Sequence, residues 1–284
     1  MITTAAQETL NIIVTGGGRG LGFEMAQALM EAGHRVLITG ARAGDELQSA
    51  ANDLQRLACP QRSAHGVQAL AMQADVANWD DCQRVAQACI DHWGRIDGLV
   101  NNAGRGMREI SEIFNVEPAL FWRADPRGFK NIIDANVMGP FMMARACVPG
   151  MVAQGFGRVV NISTSTVTMV RTGYSPYGPS KSALEAMSAV WAKDLYGSGV
   201  TCNVLLPGGA TDTKLLPGDG SSRRGADGQL LSPILMRRPI VWLMSNQAQI
   251  TGARYIAKNW PDDLEGQAAA EQARTPANAL PGIM

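Results

Sequence analysis

Residues 11–22 read Asn11-Ile12-Ile13-Val14-Thr15-Gly16-Gly17-Gly18-Arg19-Gly20-Leu21-Gly22. A short β-branched run enters a glycine cluster, and the next segment, 21–32, sets Leu21, Met25, Ala28, Leu29 and Ala32 on one helical face. Gly33 follows as a stop signal. Strand, glycine loop and helix in that order form an anion-receiving unit. Glycine lets the backbone turn sharply and approach a pyrophosphate with no Cβ in the way, and the helix N-terminus presents unpaired N–H groups.

The same alternation continues along the chain. Short apolar runs at 11–15, 35–39, 69–72, 98–101, 158–162, 201–206 and 254–257 predict seven strands. Most are continuously apolar, as expected when both faces of a parallel sheet are covered. Between them, 79–93, 129–151 and 180–197 carry helical periodicity. The pattern predicts an α/β fold: a doubly wound, mostly parallel seven-stranded sheet with helices on both faces. No repeat or Pro/Ser linker divides the chain, so one domain is expected over 1–284, with its core at about 9–257. The stretches 105–127 and 211–232 and the tail 261–284 fit no regular element and are expected to be irregular.

Composition narrows the function classes. The chain is 46% hydrophobic and 18% charged, with 25 basic and 25 acidic residues, which excludes general disorder. The absence of net positive charge argues against a nucleic-acid specialist. The cysteines, Cys59, Cys82, Cys89, Cys147 and Cys202, are odd in number and show no Cys-x-x-Cys spacing, so they suggest neither a disulfide framework nor a zinc site. They read as buried free thiols of a reducing compartment. No apolar run approaches a membrane span, and Met1–Leu10 lacks the pattern of a secretory signal. The expectation is a cytoplasmic protein whose partners include neither nucleic acid nor membrane. His34, His65 and His92 fall outside every motif and read as structural or surface residues.

Chemistry is carried by Tyr177 and Lys181, which share a helix face at a spacing of four. A free phenol, with a pKa of about 10, is a poor base at neutral pH. A nearby ammonium is expected to lower that value, and Tyr177 could then exchange a proton with a carbonyl or alcohol oxygen. The glycine loop, Asn101-Asn102-Ala103-Gly104, Tyr177-x-x-x-Lys181 and Pro207-Gly208 occur in this order. Together they resemble the short-chain dehydrogenase/reductase family, in its single-domain branch.

The resemblance implies a Rossmann-like sheet that binds a nicotinamide dinucleotide and an enzyme that interconverts a ketone or aldehyde and an alcohol by hydride transfer. It implies that Gly16, Gly20 and Gly22 hold the pyrophosphate, with Gly18, Arg19 and Leu21 in the same loop. Asp75, with Val76 beside it, would reach the adenine, and Asn102, Ala103 and Gly104 would line the adenosine ribose side. Asn136 matches the asparagine of a proton relay to Lys181. The family's serine falls at Thr164, thirteen residues before Tyr177 and flanked by Ser163 and Ser165. Thr164 keeps a hydroxyl and is the first candidate, with Ser163 or Ser165 as alternatives if the loop is offset. After Pro207 and Gly208, either Thr211 or Thr213 would contact the nicotinamide carboxamide.

At the end of the second strand, Gly40 stands where NAD-binding proteins usually place an acid for the 2′-hydroxyl. Arg42 follows, and Arg19 lies in the glycine loop. Two guanidiniums suit a 2′-phosphate, so NADP is favoured, with NAD as the alternative because Asp45 and Glu46 are near. Two other functions compete. One is a non-catalytic dinucleotide sensor or scaffold, against which Tyr177, Lys181 and Asn136 speak. The other is an isomerase or dehydratase with tightly held cofactor, against which the short stretch 258–284 speaks. The apolar helices 129–151 and 180–197 further suggest a homo-oligomer, tetramer or dimer.

Overall fold

Seven strands join in one parallel sheet in the order β3-β2-β1-β4-β5-β6-β7. They are β1 (Asn11–Val14), β2 (Arg35–Gly40), β3 (Ala69–Gln73), β4 (Gly98–Asn101), β5 (Gly157–Ile162), β6 (Val200–Leu206) and β7 (Arg254–Ile256). The structure is a computed structural model that describes residues 9–42, 44–57, 68–218, 223–225 and 228–276. Cys59 and His65 lie outside the described residues, as do residues 277–284.

The continuous apolar runs have the expected cause. Along β1, Ile12 and Val14 pack on one face while Ile13 packs on the other, and Val36, Leu37 and Ile38 repeat the division in β2. One layer holds α1 (Gly20–Glu31) and α2 (Asp45–Arg56). The opposite layer holds α3 (Trp79–Trp93), and beyond it α4 (Pro126–Ile133) leads into α5 (Gly139–Ala153). After β5 come the short α6 (Thr166–Met169) and then α7 (Tyr177–Asp194), which packs in the α3 and α5 layer. Later, α8 (Arg237–Met244) and α9 (Gly266–Ala273) return to the first layer. Helix ends follow local chemistry. Asn78 caps α3 by accepting from the Asp81 N–H at 3.1 Å, Gly94 ends it in the left-handed region, and Asp125 caps α4 with Pro126 in its first turn.

Four expectations need correction. The segment 129–151 is helical but not uniformly α-helical, because a π turn at Asp134–Met138 stands between α4 and α5. The tail from 261 is not wholly irregular: Gly266–Ala273 is helical, with Ala269, Ala270 and Ala273 buried in the cluster that holds Trp242, Tyr255 and Trp260. Small alanines give weak periodicity, so the packing was not legible locally. Helices α2 and α8 were not anticipated; α2 buries only Ala50, Ala51 and Leu54, and α8 contains Pro239. The stretch 105–127 holds two single-turn 3-10 segments, Met107–Glu109 and Phe121–Arg123.

The thiols of Cys82, Cys89, Cys147 and Cys202 are free and buried. His34 is buried and accepts the Leu10 N–H, while His92 is exposed beside the Ala88 carbonyl. No described helix is long and apolar enough to cross a membrane.

Candidate active site

Strand order reverses between β1 and β4, and the crevice at the carboxyl ends of these strands is where doubly wound sheets place ligands. Two loops meet there. The loop after β1 turns at Gly16, whose φ is +64°, and folds back over the first turn of α1. A methyl at residue 22 would lie 2.2 Å from the Gly16 carbonyl oxygen, so only glycine fits. The loop after β4 clamps this arrangement. Asn102 Nδ2 donates to the carbonyls of Thr15 (2.9 Å) and Gly16 (3.0 Å). Thr15 Oγ1 accepts the N–H groups of Asn102 and Ala103, both at 3.0 Å.

The first turn of α1 has no side-chain cap and no acidic residue, unlike that of α3. Its N–H groups and partial positive charge are left for an anion, so the loop fits a pyrophosphate. Gly18 lies beside Leu47, Gly20 faces Thr213, and Leu21 packs into the core below.

Near the end of β2, no acid stands at Gly40, which is next to Leu47. Arg42 is exposed and makes no ion pair among the described residues. Arg19 Nη1 is 3.2 Å from Glu46, whose other oxygen receives Lys214 Nζ at 2.6 Å. The hydrogen bond from Lys214, with Arg19 beside it, holds the Glu46 carboxyl below its usual range. At these exposures the pairs add little stability; they matter because they gather charge at the cleft.

The Asp75 carboxylate accepts from Arg105 Nη2 at 2.9 Å and from the Ala77 N–H at 3.0 Å. Val76 is buried against Gly139. Beyond β6, the Pro207 carbonyl accepts the Lys258 N–H, and Gly208 is wedged against Ile256 and Lys258. Thr211 is buried in a bridge to Leu231, whereas Thr213 faces the glycine loop.

Tyr177 begins α7 and Lys181 follows one turn later. Tyr177, half-buried, packs against an apolar cluster of Met107, Phe114 and Ile132, as do Ile110, Tyr174 and Leu216. Burial pushes the phenol up to about 12, while its hydrogen bond with Thr164 pulls the other way. The expected lowering by Lys181 is therefore not met in the protein alone, because desolvation prevails. Lys181 Nζ donates to the Ile162 carbonyl at 2.8 Å, and burial brings the ammonium down to about 8, with Glu185 opposing the shift. Of the three hydroxyls, Thr164 meets Tyr177, Ser163 is buried and faces the Glu185 carboxylate, and Ser165 caps α6.

Asn136 sits in the π turn, fully buried. Its Oδ1 accepts the Arg105 N–H at 2.8 Å, and its Nδ2 donates to the Arg105 carbonyl and to Ser180 Oγ, both at 3.0 Å. The turn thus ties the loop after β4 to α7, and a methyl at Gly104 would approach Asn136 Oδ1 to 3.0 Å and Lys181 Nζ to 3.7 Å. Sequence reasoning missed Arg105, Lys214, Glu185 and Arg254, whose partners all lie far along the chain. Only the spacing of Glu185 from Lys181 on one helix face could have flagged any of them.

A glycine cradle at the strand switch point, with a tyrosine and lysine on the helix after β5, defines a dinucleotide-dependent oxidoreductase of the doubly wound class. The comparisons agree. The family described as short chain dehydrogenase matches residues 10–222. A 3-oxoacyl-[acyl-carrier-protein] reductase of Synechocystis sp. is 30% identical over 196 residues, 69% of this chain and 72% of that protein. A 2-(R)-hydroxypropyl-CoM dehydrogenase of Xanthobacter autotrophicus is 32% identical over 196 residues, with the same coverage of 69% and 72%. A solved structure described as a short chain dehydrogenase/reductase family protein superposes with a TM-score of 0.71 at 30% identity, covering 89% of this chain and 97% of that one. The chain belongs to the short-chain dehydrogenase/reductase family. It is an oxidoreductase whose cofactor is a nicotinamide dinucleotide, NAD(P).

Proposed function

We propose that the chain interconverts a ketone or aldehyde and the corresponding alcohol with NADP, using Tyr177 as acid and base. One observation carries this reading: Tyr177 and the buried Lys181 stand one turn apart on α7, with Thr164 beside the phenol and Lys181 Nζ close to Gly104 in the loop that clamps the glycine cradle. The bound dinucleotide supplies or accepts the hydride. Thr164 donates a hydrogen bond to the substrate oxygen, and Tyr177 gives that oxygen its proton in reduction or takes it in oxidation. A phenol titrating at about 12 holds its proton at neutral pH and is ready to donate. The cationic Lys181 favours the phenolate that remains, and Asn136 fixes the loop and helix between which the two side chains sit. The apolar wall of Met107, Phe114 and Leu216 excludes water and favours an apolar carbonyl group. The names of the two relatives, a reductase and a dehydrogenase, support the reaction class in both directions.

NADP is favoured by the missing acid at Gly40, by Arg42, which has no ion-pair partner among the described residues, and by the two cations that converge on Glu46. In the pyrophosphate cradle, Gly16, Gly20 and Gly22 would hold the cofactor, with Thr213 rather than Thr211 near the loop. The buried free thiols support a cytoplasmic setting. Assembly is proposed from the helix faces. Phe129, Phe141, Val152 and Val190 are exposed on α4, α5 and α7, whereas the molecule's own fold buries Leu184 and Leu195.

Four outcomes test these readings. Tyr177→Phe should lower turnover of a screened carbonyl by at least about a hundredfold with cofactor binding retained. In the same assay Thr164→Ala should be slow, while Thr164→Ser and Ser163→Ala stay active; an active Tyr177→Phe protein refutes the mechanism. In fluorescence titrations, Arg42→Ala should weaken NADPH about tenfold or more and leave NADH nearly unchanged. Equal affinity of the parent for both cofactors contradicts the assignment. By light scattering the mass should be a multiple of 30.2 kDa, and 30.2 kDa itself refutes assembly.

A further inference from the structure

Two charged side chains lie beneath the candidate site, where the mechanism above makes no use of them. Glu185 stands one helical turn beyond Lys181 on α7, and its side chain is 9% exposed. Arg254, from β7 at the sheet edge, is 5% exposed. Arg254 Nε lies 3.1 and 3.0 Å from the two Glu185 carboxylate oxygens. Its Nη2 donates to the Thr164 carbonyl at 3.0 Å, and its Nη1 to Thr275 Oγ1 at 3.3 Å. The Thr275 N–H returns to the Arg254 carbonyl at 2.7 Å.

We propose that Arg254, held by Glu185 and by Thr275 of the segment after α9, is a positioning residue that sets the backbone at Thr164 so that its hydroxyl meets Tyr177. The inference rests on the reading of Tyr177 and Thr164 given above.

Thr164 needs such a hold because the sheet does not provide it. The Ser163 N–H, bonded to the Leu205 carbonyl at 2.9 Å, continues the β5–β6 pairing by one residue, and the next regular element, α6, starts at Thr166. Thr164 therefore lies between strand and helix, and Arg254 reaches its carbonyl. A buried ion pair is a poor choice if stability alone is at stake, since well-packed apolar residues often serve as well or better. What an apolar pair cannot do is donate in three directions from one rigid plane, as a guanidinium can. Here the three directions are α7, the loop after β5, and the C-terminal segment. Glu185 serves a second purpose, because its charge opposes the loss of the Lys181 proton that burial promotes.

The test is the double variant Glu185→Leu with Arg254→Met, which removes both charges of the pair together. Its melting temperature and NADPH affinity should stay close to the parent's and KM should change little, while kcat falls about ten- to a hundredfold, the scale of a misplaced reacting group. A double variant with the parent's kcat overturns the proposal. Should that protein not fold, Arg254→Lys decides: it keeps a cation opposite Glu185 but not the fork, so the same loss in kcat is expected and parental kcat is the refutation. Tyr177→Phe is assayed in parallel. A fully active double variant beside an inactive Tyr177→Phe protein defeats the positioning role alone, whereas an active Tyr177→Phe protein defeats the reading on which it rests.

Discussion

The close approach of residue 22 to the Gly16 carbonyl is the constraint on which the rest of the site depends. With no side chain at that point, the loop after β1 lies directly on the first turn of α1 and leaves that turn's N–H groups uncapped. The approach would leave carbonyls crowded and unbonded were it not for Asn102, whose amide supplies donors to Thr15 and Gly16 together. Thr15 repays this by accepting from two backbone N–H groups of the β4 loop. The ends of β1 and β4 are thus locked at the switch point of the sheet. The lock extends from Gly104 and Arg105 through Asn136 to Ser180 on α7, so the glycine cradle and the Tyr177 helix share one frame. The proposed reaction, which brings a hydride donor and a proton donor to the same carbonyl, needs that shared frame.

One physical cause, burial, shapes the electrostatics of Tyr177 and Lys181. It raises the phenol and lowers the lysine, moving both towards their neutral forms. The structure offsets this with specific partners: Thr164 for the phenol, the Ile162 carbonyl and Glu185 for the ammonium. At the cofactor end the pattern is reversed, with exposed cations gathered around one carboxylate. Exposed charges steer and select; buried ones hold geometry.

The sheet was legible because a strand covered on both faces is largely apolar, and most of the seven runs say so without reference to one another. The glycine loop was legible because its contacts are made by its own backbone and by the helix that follows. What escaped depended on distance along the chain. The π turn at Asn136 carries no local signature, and Thr164 and Ser163 look alike in the sequence until the loop after β5 sets Thr164 beside Tyr177 and buries Ser163. Arg254 looks like any strand arginine until β7 is docked beside β6. Helix α9 hides in an alanine-rich stretch because its buried face is made of methyl groups.

The lock between the two loops is tested most directly by Asn102→Leu, a change of nearly constant size that removes both donors. Leaving the Thr15 and Gly16 carbonyls unpaired costs about 1–3 kcal/mol each, and the loop should relax out of its anion-binding form. Isothermal titration should then show NADPH affinity weakened by about tenfold or more, with the far-ultraviolet circular dichroism spectrum retained. Parental affinity in a folded Asn102→Leu protein would show that the cradle holds its shape without the clamp, and would contradict the account.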